Sequence, residues 1–181
     1  MNKIVSIVIP IRNEEMILKK SLKSFNKEIK KLVKVSNYEF IFVLNGSSDN
    51  SLKILQKSQK KNIKIIKLKK SNYGGALKEG IKNAKSNYVI ISNIDIYWDK
   101  KFFNWAWKNK KNYAIIIGSK RADPTLNLQP NYRKILSGVL NSLLIFFFDS
   151  VVMDTHGVKI LNIKKIKTEL NSCKMSRGEF D

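Results

Sequence analysis

The chain has 181 residues, which predicts a single domain, and an apolar fraction of 43% is enough to build a core. The net charge is +21. One explanation is an anionic partner such as nucleotide phosphate, lipid phosphate or nucleic acid, and an equally good explanation for part of the charge is a genome bias toward lysine, asparagine and isoleucine codons. The single cysteine, Cys173, excludes an internal disulfide and fits a reducing cytoplasm. The first apolar run is too short for a signal peptide or a membrane span, so we expect a cytoplasmic protein.

Apolar periodicity predicts that strands and helices alternate along the first two thirds of the chain. Strands are predicted over 4–9, 38–44, 63–68, 88–92 and 113–118, and helices over 14–25, from 48–49 onward, from the turn at 71–75 to 84, and over 102–107. Asn13 is expected to be the N-cap of the first helix. This alternation predicts an α/β fold in which helices cover both faces of a mainly parallel sheet.

The last third of the chain has a different pattern. Residues 122–131 are polar and contain two prolines, which predicts a loop. Residues 132–148 form a long apolar segment that falls short of the roughly 20 residues needed to span a bilayer. A core helix is the slightly favoured interpretation of this segment. The alternative is a helix in the membrane interface, flanked by Arg133 and Lys134.

Four polar segments follow predicted strands or open predicted helices, at residues 10–15, 45–49, 72–76 and 93–95. Parallel strands bind ligands at their carboxyl ends, helix N-termini offer free N–H groups to phosphates, and glycines allow close backbone approach. Together the segments predict a nucleoside-diphosphate site. Its candidate residues are Pro10, Arg12, Asn13, Glu14, Asn45, Gly46, Ser47, Asp49, Asn72, Gly74, Gly75, Ala76 and Asn93. Asp95 is the candidate ligand for a hard divalent cation, Mg²⁺ or Mn²⁺.

These motifs resemble those of the family 2 glycosyltransferases, especially the polyprenyl-phosphate (dolichyl-phosphate) sugar synthase branch. The similarity lies in residues 5–15, 46–51, 72–84, 118–121 and 154–159. It implies the GT-A fold, a Rossmann-like nucleotide-diphospho-sugar transferase domain over 1–181. Residues 1–99 would form the nucleotide-sugar half, and residues 113–181 the acceptor half. Members of the family continue beyond the Phe-Asp at 180–181, so we expect this acceptor half to be incomplete.

The chain departs from the family pattern at two motifs. Leu44-Asn45 stands where the family has paired aspartates, and Leu44 cannot accept a hydrogen bond, so a base contact must come from Asn45 or elsewhere. Asn93-Ile94-Asp95 stands where the family has Asp-x-Asp, so one of the two carboxylates is missing. We therefore expect weaker metal binding that depends on Asp95.

The resemblance implies transfer of a sugar from a nucleotide-sugar donor to a polyprenyl phosphate or a cell-envelope glycan, by inverting, in-line displacement. Asp95 with Mg²⁺ or Mn²⁺ would neutralise the departing nucleoside diphosphate. Asp154 or His156 would orient the acceptor or accept its proton. Lys120, Arg121 and Arg133 are candidate phosphate and acceptor contacts (Arg121 foremost). Such an enzyme would lie in the cytoplasm, with peripheral contact at the inner face of the cell membrane.

Three alternatives compete with this interpretation. A degenerate or truncated nucleotide-sugar-binding domain without activity is suggested by Leu44, Asn93 and the abrupt end of the chain. A sugar nucleotidyltransferase would have a glycine-rich basic signature after the first strand, where this chain has Pro10-Ile11-Arg12-Asn13-Glu14. Specific nucleic-acid binding is suggested only by the charge, because no recognition motif accompanies it.

Overall fold

The computed structural model describes residues 4–32, 37–58, 61–95, 99–119, 135, 138, 139, 142 and 157–172. Contacts divide the chain into two compact units. The first unit combines residues 1–116 with residues 159–181, and the second comprises residues 117–158.

A six-stranded sheet forms the centre of the first unit, in the order β3-β2-β1-β4-β6-β5. The strands are β1 (Ile4–Ile11), β2 (Asn37–Asn45), β3 (Ile63–Leu68), β4 (Tyr88–Ile91), β5 (Ile115–Ile117) and β6 (Lys159–Asn162). β1 pairs in parallel with both β2 and β4, β2 pairs in parallel with β3, and β6 runs antiparallel to β4. The prediction of a mainly parallel α/β sheet is confirmed.

Helices cover both faces of this sheet, as predicted. They are α1 (Glu15–Leu32), α2 (Ser51–Lys57), α3 (Tyr73–Lys82), α4 (Lys100–Asn109) and α5 (Lys167–Ser172). On one face, Leu77 and Ile81 of α3 pack in a core cluster with Val8 and Val43 of the sheet. On the other face, Phe25 of α1 meets the ring of Phe40 edge-on, with ring centroids 6.2 Å apart. Alternate residues along each strand point to opposite faces, which explains why the central strands β1, β2 and β4 are mostly apolar.

β1 continues through Pro10 to Ile11, two residues further than predicted. The carbonyl of Val8 accepts from the N–H of Ser92 on the β4 side, and alternate residues point the same way. The nitrogen of Pro10 therefore faces the β4 side beyond Ile91, where β4 has ended. A missing N–H at that position costs no hydrogen bond in the sheet.

The predicted helix starts were wrong at α1 and α2, and one strand was missed. α1 begins at Glu15, and the carbonyl of Glu14 accepts its first helical bond from Leu18 N–H at 2.9 Å, so Asn13 is not the N-cap. α2 begins at Ser51, not at residues 48–49. β6 had no predicted counterpart.

In the second unit, Gly118 donates its N–H to the carbonyl of Val158 at 2.8 Å. Gly157 packs so closely on the Gly118 carbonyl that a Cβ would overlap it. Residues 135, 138, 139 and 142 are helical, but the rest of the predicted loop and apolar segment at 122–148 lies outside the described residues. Within the described part of the chain, no helix combines the length and apolarity needed to cross a bilayer.

Candidate functional site

An open cleft of about 340 Å³ lies at the carboxyl ends of β1, β2 and β4, beside the N-terminus of α3. It is lined by Pro10, Ile11, Arg12, Glu14, Asn45, Ser71, Tyr73, Asn93, Ile94 and Asp95. The parallel order of β2, β1 and β4 brings these strand ends side by side, because each crossover returns the chain to the same edge of the sheet. The cleft thus occupies the position at which open parallel sheets bind ligands.

The cleft brings together six of the predicted site residues: Pro10, Arg12, Glu14, Asn45, Asn93 and Asp95. Four lining residues were not predicted: Ile11, Ser71, Tyr73 and Ile94. Ser71 and Tyr73 flank the predicted Asn72, and Ile94 lies inside the predicted acidic motif. Proximity to those motifs was a signal that could have found them.

The starts of α1 and α2 cap each other. The N–H groups of Glu14 and Glu15 donate to Ser51 Oγ at 3.1 Å and to Asp49 Oδ2 at 2.9 Å. In return, Glu15 Oε2 accepts from the N–H of Asn50 at 2.8 Å. Asp49 Oδ1 also accepts from the Ser51 N–H at 3.0 Å, so one carboxylate serves both helix starts. The predicted availability of these N–H groups to phosphate was wrong, because side chains of the protein already bind them.

The loops before these helices, residues 12–14 and 46–50, are joined by further hydrogen bonds. Asn13 has a left-handed backbone, with a φ of 55°, and its Oδ1 accepts from the Ser48 N–H at 2.9 Å. Ser47 Oγ donates to the Ile11 carbonyl at 3.1 Å and accepts from the Asn13 N–H at 3.3 Å. Asn13, Ser47 and Asp49 therefore hold the rim of the cleft together, and a direct contact of theirs with a ligand stays a prediction.

Hydrogen bonding at the loops also lowers the pKa of Asp49. Burial alone would raise this pKa, but bonds from Ser51, from the Glu15 N–H and from the Asp49 N–H outweigh it. A lowered pKa favours the charged form in the folded state, so this stabilisation is present at neutral pH and is lost as the pH falls through the lowered pKa.

Two consecutive hydrogen bonds position the wall of the cleft at the start of α3. Asn45, which is almost fully buried, accepts the Asn72 N–H on its Oδ1 at 2.6 Å. Asn72 in turn accepts the Gly75 N–H on its own Oδ1 at 2.8 Å and so caps α3. Because a backbone donor binds Oδ1 of Asn45, the side-chain amide nitrogen of Asn45, with its two N–H donors, is the group that can bind a ligand. The two hydrogen bonds also position Ser71 and Tyr73 on the cleft.

Two of the glycines predicted to let the backbone approach a ligand, Gly46 and Gly75, lie close to other atoms of the protein. Gly46 has a φ of +65°, and a Cβ there would lie 2.8 Å from the backbone nitrogen of Ser71. A Cβ on Gly75 would lie 2.9 Å from Cγ of Asn72. Gly46 therefore lets the end of β2 touch the segment before α3, and Gly75 leaves room for the cap. Gly74 and Ala76 are buried in the first turn of α3.

The negative charges of two other acidic residues act on the carboxyl group of Glu14 in the cleft. Burial, followed by the negative charges of Asp95 and Asp49, raises the pKa of the Glu14 carboxyl above its ordinary value. Among the described residues, no three His, Cys, Asp or Glu side chains are arranged to hold a metal ion by themselves. The exposed Asp95 carboxylate, with the Asn93 amide in the same cleft, fits a hard cation that takes its other ligands from water and phosphate.

Replacing Glu14 with glutamine is expected to raise the melting temperature of the ligand-free protein at neutral pH. Glu14 has a raised pKa in the folded state, so the wild-type protein loses stability as the pH rises through that range, and the amide does not titrate. Since Glu14 is partly exposed, we expect a gain of no more than about 1 kcal/mol. Thermal melts between acidic and neutral pH should show the gain vanishing at acidic pH.

The control for this prediction is Glu169→Gln, at an exposed glutamate of α5. This variant also removes one negative charge, but Glu169 does not line the cleft. We therefore expect no gain in melting temperature at neutral pH. A gain for Glu14→Gln that does not change with pH would contradict the electrostatic explanation.

Five predicted residues lie outside the described residues: Lys120, Arg121, Arg133, Asp154 and His156. Their roles at the acceptor or in proton transfer stay predictions.

A mainly parallel sheet with helices on both faces and a polar cleft at its strand ends defines the doubly wound class of α/β domain, in which ligands bind at that edge. The particular family follows from the sequence: the family model "Glycosyl transferase family 2" matches residues 6–167. The chain belongs to this family, which confirms the resemblance inferred from its motifs.

A curated relative agrees with this membership. The chain is 34% identical over 127 residues, 67% of its length, to dolichyl N-acetyl-alpha-D-glucosaminyl phosphate 3-beta-D-2,3-diacetamido-2,3-dideoxy-beta-D-glucuronosyltransferase of Methanococcus voltae. It is 32% identical over 133 residues, 66% of its length, to dolichyl-phosphate beta-glucosyltransferase of Dictyostelium discoideum. The chain spans 36% and 40% of the lengths of these two relatives.

Among solved structures, glucosyl-3-phosphoglycerate synthase from Mycobacterium tuberculosis, in complex with Mn²⁺, uridine diphosphate and phosphoglyceric acid, has a similar fold. The TM-score is 0.66 at 16% sequence identity, and the match covers 96% of this chain and 59% of the other. At this identity the likeness supports the GT-A fold alone, which is the fold predicted from the sequence.

Proposed function

We propose that this chain binds a nucleoside-diphosphate sugar in the cleft, together with Mg²⁺ or Mn²⁺, and transfers the sugar to an acceptor. The observation that carries the proposal is the position of Asp95 and Asn93, at the end of β4 and in one cleft with Arg12, Asn45 and Tyr73. The family to which the chain belongs supports it. Closely placed acidic, amide and aromatic groups suit the phosphates, ribose and base of a nucleotide.

The base and ribose are assigned to the side of the cleft near α3. Tyr73 and Pro10, which are partly exposed, give this side apolar surface against which a base can stack. Asn45 donates through its amide nitrogen, since its oxygen is bound to Asn72, so it would contact a carbonyl or hydroxyl acceptor on the nucleotide. A volume of about 340 Å³ is at the lower end for ligand pockets, so the sugar would extend out of this open cleft.

The phosphates are assigned to the side near β4. Asp95 and Asn93 would hold the cation, and Arg12 would contribute positive charge from the loop after β1. A bound divalent cation would neutralise the charge that develops on the departing diphosphate. It would also offset the repulsion that raises the pKa of Glu14, because that repulsion comes from Asp95 and Asp49. Metal and nucleotide should therefore bind together more tightly than either binds alone.

A lipid phosphate such as a polyprenyl phosphate is the proposed acceptor, with a cell-envelope glycan as the alternative. The names of the two curated relatives include dolichyl phosphate or a dolichyl-linked sugar phosphate, which supports a lipid-linked acceptor. A phosphate oxygen is already anionic and needs no general base, so the chemistry would not depend on Asp154 or His156 removing a proton. Access to such a lipid requires peripheral contact with the inner face of the cell membrane.

Donor binding is tested by thermal melting with uridine, guanosine and other nucleoside diphosphates and their sugars, each with and without Mn²⁺. A ligand at about 100 times its Kd stabilises by about 2.7 kcal/mol, which corresponds to roughly 5–10 °C for a domain of this size. We expect one nucleotide to give such a shift with Mn²⁺ and a much smaller one without it. The absence of a shift with every nucleotide would overturn the proposal.

Transfer is tested by incubating the chain with the stabilising nucleotide sugar and a polyprenyl phosphate in detergent, and detecting the glycosylated lipid by mass spectrometry. Donor binding without transfer to any lipid or glycan acceptor would favour the binding domain without activity.

A further inference from the structure

We propose that the outer face of α4 and the start of β5 form a docking surface for an anionic lipid membrane. This surface, called the α4 surface below, comprises Lys101, Trp105, Lys108, Tyr113 and Ile115. It adds a location to the peripheral membrane contact proposed above and rests on that proposal. It lies apart from the residues that line the cleft.

The first observation is that large apolar side chains on the α4 surface face solvent. Trp105 is 52% exposed, Tyr113 47% and Ile115 46%. The Trp105 and Tyr113 rings contact each other, with centroids 6.1 Å apart and planes tilted by 38°. Exposed aromatic rings in contact usually mark an interaction site, whereas single exposed apolar residues do not, and the exposed Ile115 follows Tyr113 by two positions.

The second observation is the periodicity of α4. Phe103 and Ala106 are buried and fix the orientation of the helix. Lys101, Trp105 and Lys108 are spaced four and three residues apart, so they share one exposed face. A tryptophan between two long cationic side chains is suited to the membrane interface, where the ring lies at the level of the headgroups and the lysines reach the phosphates.

The third observation is the charge of this part of the chain. Residues 100–119 contain five lysines and neither aspartate nor glutamate. The carboxylate that precedes them, Asp99, caps α4 by accepting the N–H of Phe102 at 2.6 Å. The α4 surface is therefore complementary to an anionic leaflet, which attracts clusters of lysine.

Two other occupants fit the surface less well. In a symmetric pair of two copies, Lys101 and Lys108 of each would meet the same lysines of the other, and like charges would repel. Nucleic acid would use the lysines and could stack on the rings, but the Trp105 and Tyr113 rings already contact each other, and Ile115 offers nothing to a base or a phosphate.

The test measures co-sedimentation of the whole chain with vesicles of phosphatidylcholine alone or mixed with phosphatidylglycerol. Trp105→Ser with Tyr113→Ser removes the aromatic pair, and Lys101→Gln with Lys108→Gln removes two charges. Each pair of substitutions is expected to lower partitioning onto the anionic vesicles by about tenfold or more. Lys53→Gln with Lys67→Gln is the matched charge control, because these exposed lysines lie on α2 and on β3 at the opposite edge of the sheet.

Melting temperatures of the variants, with and without a nucleoside diphosphate and Mn²⁺, separate this proposal from donor binding. The nucleotide shift is expected to stay unchanged in the variants of the α4 surface, so either proposal can fail alone. The docking proposal is overturned if the wild-type chain does not bind anionic vesicles, or if the aromatic variant binds them as tightly as the wild type. It is also overturned if the Lys53 and Lys67 control pair loses as much vesicle binding as the Lys101 and Lys108 pair. A third contradicting result is that the aromatic pair is needed for self-association or for RNA binding but not for vesicle binding.

Discussion

Replacing Asp95 with alanine is expected to abolish the joint stabilisation by nucleoside diphosphate and Mn²⁺ while leaving the ligand-free fold intact. The side chain is exposed in the cleft, so its loss removes little packing. A metal that neutralises a departing diphosphate contributes several kcal/mol to transition-state stabilisation. Sugar transfer should therefore fall by about 10²–10³-fold, since each 1.36 kcal/mol corresponds to a factor of ten. Thermal melts and transfer assays measure the two effects.

The contrasting variant is Asn93→Asp, which restores a second carboxylate to the motif. We expect it to strengthen Mn²⁺-dependent nucleotide binding, because a hard cation prefers charged oxygen ligands. In the absence of metal it should lower the melting temperature slightly, because another negative charge joins Glu14 and Asp95. Full transfer activity in Asp95→Ala, with Mn²⁺ still required, would show that the metal is held elsewhere.

The alternation of strands and helices could be predicted because each element carries its own periodic signal. β3 was predicted to the residue, and both ends of β1, β2 and β4 were predicted to within two residues. β6 could not be found this way, because its four residues gain their identity from pairing with β4, which lies some seventy positions earlier in the chain. Local patterns do not contain such long-range pairings.

The strand ends also located the cleft, but they did not reveal how its rim is built. Asp49 seemed to open a helix and in fact bonds to the N–H of Glu15, 34 residues away in the sequence. Asn45 was expected to supply a base contact; its oxygen accepts the Asn72 N–H, so such a contact would use the amide nitrogen. The residue types were informative because short polar side chains belong at helix starts, but which backbone group they bind depends on the tertiary arrangement.

Replacing Gly46 with alanine is expected to destabilise the protein by about 2–5 kcal/mol and to weaken nucleotide binding. The left-handed backbone at a φ of +65° costs a residue with a Cβ about 1–2 kcal/mol. A Cβ would also lie 2.8 Å from the Ser71 nitrogen and 3.2 Å from the Lys70 carbonyl carbon, both backbone atoms of a neighbouring segment, and overpacking of this kind costs about 1–3 kcal/mol. Denaturant unfolding measures the loss.

The loss of nucleotide binding follows from what must move when Gly46 gains a side chain. Displacement of Ser71 carries the Asn72 N–H away from Asn45 and shifts Tyr73, so the wall of the cleft changes shape. The matched control is Gly138→Ala, at a helical glycine where a Cβ would meet nothing within 4 Å. This substitution should be neutral or slightly stabilising, because alanine favours a helix more than glycine does. If Gly46→Ala bound nucleotide as tightly as Gly138→Ala, the link between the end of β2 and α3 would not shape the cleft.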